Sequence, residues 1–111
     1  MIEEIIRGYL AERLDCPVLL EAPERPPKRY IVMEKTGSGQ RNRISSAVIA
    51  IQSYGGSLYE AACLNEKVKA LMDEATVLDA VGGIALDSDY NFTDATTKNY
   101  RYQAVYDITH Y

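Results

Sequence analysis

Apolar residues along the chain recur with two spacings, and the switch between them marks the elements. From Ile2 to about Asp15, the residues Ile2, Ile5, Ile6, Tyr9, Leu10 and Leu14 form one stripe, with Glu3, Glu4, Arg7, Glu12 and Arg13 off it. That spacing predicts an amphipathic helix. Pro17 ends it, because a residue preceding proline is crowded out of the helical region. The short run Val18-Leu19-Leu20 predicts a strand, and Pro23, Pro26 and Pro27 make 21–29 an extended loop. Tyr30 to Glu34 predicts the next strand, Thr36-Gly37-Ser38-Gly39-Gln40 a glycine-rich turn, and Asn42 to Tyr54 a long return arm.

Gly55-Gly56 breaks that arm. Ser57-Leu58-Tyr59-Glu60 then opens a second helix as a capping box, in which the serine oxygen accepts from an N–H three residues on. Ala61, Leu64, Val68, Leu71, Met72 and Ala75 follow with helical spacing. The final third predicts a second hairpin: an arm from Val81 to Thr93 with a bend or bulge at Gly82-Gly83, a turn at 94–98, and a return arm from Asn99 to His110. Along that return arm Tyr100, Tyr102, Ala104, Tyr106 and Ile108 face one way, and Arg101, Gln103, Val105, Asp107 and Thr109 the other. The order α-β-β-β-α-β-β predicts a single α+β domain over residues 1–111. Its sheet, antiparallel or mixed, has about four to five strands, with both helices packed on one face.

The long arm carries a consequence for function. Ile44, Val48, Ala50 and Tyr54 fall on one of its faces, and Ala47, Ile49 and Ile51 on the other. Both are apolar, yet two helices cover one face only. A neighbouring subunit is therefore expected on the second face, and Ile49 and Ile51 are the partner-facing candidates.

Composition adds little beyond a globular average: apolar residues make up 47% and charged residues 25%. No run is long and apolar enough for a membrane span, and the acidic start Met1-Ile2-Glu3-Glu4 does not read as a secretory signal. The cysteines, Cys16 and Cys63, read as reduced thiols of a cytoplasmic protein. Charge matters more. From Arg25 to Arg43 six bases face one acid, Glu34, whereas the chain as a whole carries −4. A basic segment on an acidic body suits head-to-tail association, with Lys35, Arg41 and Arg43 at the hairpin tip as contact candidates. Alternatively, the 25–43 segment is the basic patch of a small nucleic-acid-binding module.

No catalytic constellation emerges. Lys35 to Arg41 resembles a phosphate-binding loop only superficially, since that loop ends in Gly-Lys-Ser/Thr and enters a helix. Asp87-Ser88-Asp89-Tyr90-Asn91 starts like a calcium loop, but Phe92 and Lys98 stand where glycine and glutamate belong. His110 is the sole histidine and Cys63 belongs to a helix interior, so neither zinc binding nor a Cys–His pair is expected. Tyr100 and Tyr102 beside Arg101 could stack on single-stranded nucleic acid, but in an acidic domain core or subunit contact is the better reading. No enzyme activity, metal or cofactor is expected.

The stretch Ser88-Asp89-Tyr90-Asn91-Phe92-Thr93-Asp94, followed by Thr97-Lys98-Asn99-Tyr100-Arg101-Tyr102-Gln103-Ala104-Val105-Tyr106-Asp107-Ile108, resembles the closing hairpin of tail terminator proteins of long-tailed bacteriophages. The order of elements around it is similar as well. The resemblance implies a structural role: a hexameric ring capping the head-proximal end of the tail tube and ending its growth. Its partners would be further copies of the chain, the tail tube protein and the head-completion or connector protein. DNA would pass through the lumen without specific binding, and the protein would reside in the host cytoplasm during assembly and then in the virion tail. Arg101, Gln103 and Asp107, on the polar face of the last strand, are the candidates for ring contact or lumen lining.

Overall fold

A computed structural model describes the whole chain, Met1–Tyr111. Helix α1 spans Ile2–Arg13, and β1 is the two-residue strand Val18–Leu19. Strands β2 (Tyr30–Arg41) and β3 (Ile44–Tyr54) form the first hairpin. Helix α2 covers Leu58–Glu74, followed by a 3-10 turn, Ala75–Val77. Strands β4 (Val81–Asn91) and β5 (Arg101–His110) complete the chain.

The five strands lie in the order β1-β2-β3-β5-β4. The β1–β2 pair is parallel and the rest are antiparallel, so the sheet is mixed. The last strand is thus inserted between β3 and β4. Both helices pack on one face, as predicted. Ile2, Ile6, Tyr9 and Leu10 of α1 and Leu64, Val68 and Met72 of α2 share a core with Ile31, Met33, Ile49, Ile51, Ala104, Tyr106 and Ile108 of the sheet. The helices are tied together by Tyr9, whose hydroxyl donates to the Leu71 carbonyl at 2.6 Å while Arg13 lies 4.0 Å over its ring.

Local signals hold at the start of α2. Ser57 Oγ accepts from Glu60 N at 3.1 Å, and the Glu60 carboxylate reaches back to Gly56 N at 2.9 Å. A side chain at Gly55 would meet the Ala61 nitrogen at 2.6 Å, so the sharp exit from β3 into α2 requires glycine there. The sequence expectation at Gly82 is met by a bulge between Val81 and Gly83.

The first hairpin differs from expectation. Gly37 and Gly39 are not its turn: they lie within β2, paired with Val48 and Ser46. The reversal occurs at Asn42-Arg43, between the paired residues Arg41 and Ile44. Both loop residues have positive φ, 52° and 67°, the signature of a two-residue type I′ turn. A bulge between Lys35 and Gly37 shifts the register within the strand.

Candidate interaction surface

Residues paired across antiparallel strands share a face, so the register builds the helix-free surface row by row. The first row is Tyr30, Tyr54 and Arg101, and the second is Val32, Gln52, Gln103 and Tyr90. The third is Glu34, Ala50, Val105 and Ser88, and the fourth Gly37, Val48, Asp107 and Ala85.

The first two rows form an aromatic and polar rim. Tyr30 and Tyr54 stack with centroids 4.3 Å apart and planes 4° from parallel. Arg101 donates to the Tyr54 hydroxyl at 3.0 Å and to the Phe92 carbonyl at 2.8 Å, with its guanidinium 4.4 Å over the Phe92 ring. From Tyr54 the bonds continue in one direction. Its hydroxyl donates to Gln52 Oε1 at 2.9 Å, Gln52 Nε2 donates to Gln103 Oε1 at 2.9 Å, and Gln103 Nε2 donates to the Tyr90 hydroxyl. This network satisfies the polar groups that the rim buries. Burial pushes the Tyr30 hydroxyl above its ordinary pKa, with the neighbouring Tyr54 adding to the effect.

Rows three and four form a low shelf of small side chains. Ala50 is buried, Val48 and Val105 are half-buried, and Ala85 is exposed. Asp107 stands exposed on this shelf without an ion-pair partner. Ile44, next to the hairpin tip, is 44% exposed. Both helices pack on the opposite face of the sheet, so neither covers the shelf.

The contact candidates from the sequence divide accordingly. Arg41 and Arg43 sit at the exposed tip and form no ion pair within the chain. Arg101, Gln103 and Asp107 do lie on the open face, but Arg101 and Gln103 are committed to the rim network. Ile49 and Ile51 are not available to a partner. Both are fully buried beneath the helices, so the two faces of β3 are exchanged relative to the expectation. Lys35 is not at the tip either. It pairs with Ile49 on the helix side and reaches Glu3 of α1 at 3.3 Å. Burial alone would raise the Glu3 carboxyl, but a backbone hydrogen bond and Lys35 bring it below its ordinary pKa.

The basic segment is also not one patch. Arg25, Lys28 and Arg29 precede β2 while Arg41 and Arg43 lie at its far end, about 35 Å away along twelve extended residues. Arg29 is held by Asp15. Tyr102 pairs with Ser53 on the helix side of the sheet, opposite Arg101, so the Tyr-Arg-Tyr run presents no continuous stacking surface.

Chemistry elsewhere is sparse. Cys16 is buried, and burial raises its thiol pKa. Cys63 is half-buried on α2 rather than in the core, and the nearby thiol raises the hydroxyl of the exposed Tyr59 above its ordinary pKa. No three His, Cys, Asp or Glu side chains converge as metal ligands. Asp89, from the calcium-like stretch, instead holds Asn65 Nδ2 at 2.6 Å and Lys69 of α2. No helix is long and apolar enough to cross a membrane. Compared with known proteins, the chain matches no family model and no curated sequence.

Proposed function

We propose that this protein is a non-enzymatic phage assembly factor whose copies associate head to tail into a ring, hexameric in the family it resembles, that caps the head-proximal end of a tail tube. The observation that carries self-association is the shelf of β2, β3, β5 and β4, a strip of small apolar side chains bordered by Glu34 and Asp107 that the helices leave uncovered. A second copy is its occupant in this reading, because the chain carries both an unpaired basic tip and a net acidic remainder, charges that attract between copies. The tail-tube assignment rests on the resemblance of the β4–β5 hairpin. The element order supports it: amphipathic helix, proline-bearing loop, long hairpin, central helix, closing hairpin.

The test is recovery of tagged protein from a lysate producing phage particles, with negative-stain imaging of what co-purifies. Tubes of uniform length with tagged protein at one end only are the expected result. A lysate in which tubes form but carry no tagged protein would overturn the assignment.

A further inference from the structure

An open sheet ends in two edges, and unpaired main chain along an edge is a template for another strand. Here β2, β3, β5 and β4 are antiparallel throughout, and the short β1 shields β2 only at Ile31 and Val32. Residues 34–41 of β2 and the whole of β4 are left as free edge. Neither stretch contains proline, and β4 contains no lysine or arginine, the residues that commonly blunt an edge. No backbone hydrogen bond outside the ladders reaches residues 34–41 or 83–91.

Antiparallel pairs alternate between bonded and non-bonded, so a few bonds fix which main-chain groups point outward. Phe92 N donates to the Arg101 carbonyl at 2.9 Å, and Gly55 N to the Tyr100 carbonyl at 3.2 Å. The odd residues of β5 therefore bond toward β4 and the even ones toward β3. Ile84 and Leu86, opposite Ile108 and Tyr106, direct their N–H and C=O groups away from the sheet. On β2, Arg41 and Ile44 close a two-residue turn as a bonded pair, so Gln40 and Ser38 point outward. Lys35 does so as well, by alternation from Ile31, whose N–H donates outward to the Pro17 carbonyl at 2.9 Å.

These outward groups are level with one another. Ser38 and Ile84 share a row through Ala47 and Ile108, and Lys35 and Leu86 share the next through Ile49 and Tyr106. Four antiparallel strands are an even number, so β2 and β4 run in opposite directions. A copy rotated about an axis along the strands thus brings its β2 edge antiparallel to the neighbour's β4 edge, with all helices on one side. Charge agrees at the upper end of both edges. Arg41 and Arg43 are exposed and unpaired beside Gln40, and Asp79 is exposed and unpaired beside Val81, which shares the row of Gln40.

We infer that copies of this chain join edge to edge, residues 37–41 of one pairing as an antiparallel strand with residues 83–86 of the next, and Arg41 or Arg43 meeting Asp79. This deepens the ring reading above and rests on it, adding a main-chain joint to the shelf contact. The two edges are unlike, so each copy offers one of each. Because they are level, repetition closes into a ring instead of climbing into a filament.

The experiment compares amide hydrogen exchange of the intact protein free and at tube ends, and measures association by sedimentation velocity at low salt. Exchange should slow on assembly in both 37–41 and 83–86. Ser38→Pro and Leu86→Pro each remove one outward N–H and spare the ladders, so each should weaken association at least about tenfold while the circular dichroism spectrum stays that of the parent. Gly39→Pro removes an inward N–H and should disrupt the hairpin instead. Should a proline variant not fold, charge reversal decides: R41E/R43E and D79R should each weaken association, and the chain carrying all three substitutions should recover much of it. Unchanged exchange in both stretches, a folded Ser38→Pro variant that associates like the parent, or a combined charge variant with no recovery overturns the edge joint and leaves the ring reading standing. A parent chain that neither associates nor occupies tube ends overturns both.

Discussion

Replacing Arg43 by glycine should make the protein more stable and less able to associate. In the first hairpin only two residues link Arg41 to Ile44, and both take left-handed backbone conformations, with φ 52° at Asn42 and 67° at Arg43. Asparagine tolerates that region, whereas an arginine Cβ there crowds the following carbonyl and costs about 1–2 kcal/mol. Glycine removes this crowding but gives the unfolded chain more freedom, which takes back about 0.4–1 kcal/mol. The net gain is about 0.5–1 kcal/mol, or about 2–5 °C in melting temperature for a domain of this size. Thermal unfolding followed by circular dichroism, paired with a urea titration of unchanged slope, measures it. Arg43→Ala is the control, since it removes the same charge but keeps the Cβ. If alanine raises the melting temperature as much as glycine, the gain comes from relieving Arg41–Arg43 repulsion, and the backbone argument is refuted. A glycine variant no more stable than the parent would refute it equally.

The remaining predictions concern the two sheet faces and the buried polar groups. Ile49→Ala should destabilise the fold by about 2–5 kcal/mol because it empties space in the helix-covered core, whereas Val48→Asp, one residue away on the open shelf, should change stability by less than about 1 kcal/mol and weaken association. A Val48→Asp variant that unfolds would mean the shelf is covered within the chain. Gln103→Leu should cost about 1–3 kcal/mol by leaving Gln52 and Tyr90 unmatched, and Gln52→Leu on top should cost less than it does alone, as a denaturant double-mutant cycle will reveal. Burial, with Asp73 the leading charge, pushes the Tyr106 hydroxyl up to about 12. The fold therefore favours its protonated form. The linked stability is intact below the unfolded tyrosine value near 10 and is lost as pH rises from there toward 12. Alkaline unfolding should shift upward in Tyr106→Phe, and an unchanged alkaline midpoint would argue against the burial.

Local signals carried much of this architecture. Both helices, the stop near Pro17, the serine cap at Ser57, the bulge at Gly82 and the inward alternation of Ala104, Tyr106 and Ile108 are legible because each depends on neighbours within a few residues. Where the sequence misled, the cause is that several physical roles share one residue type. Gly37 and Gly39 read as a turn, yet they sit within a twelve-residue strand, and the reversal uses an Asn-Arg pair that carries a weaker turn signal than Asn-Gly. Lys35 lies on the helix side by the same alternation as Ile31 and Met33, and the bulge after it resets the two-residue period so that Gly37 falls on the open face.

Alternation sorts β3 into two apolar sets, but it does not say which set the helices choose. That choice was made in tertiary structure, where β5 inserts between β3 and β4 and aligns Ile49 and Ile51 with Tyr106 and Ala104 beneath α2. The open shelf, the rim network from Arg101 to Tyr90 and the unpartnered Tyr106 hydroxyl all arise from contacts between residues far apart in the chain. The sequence by itself determined which elements form, since propensity and period are local. The packing of those elements decided which face stays bare and which hydroxyl is sealed from water without a partner, because only chain closure brings the surrounding groups together.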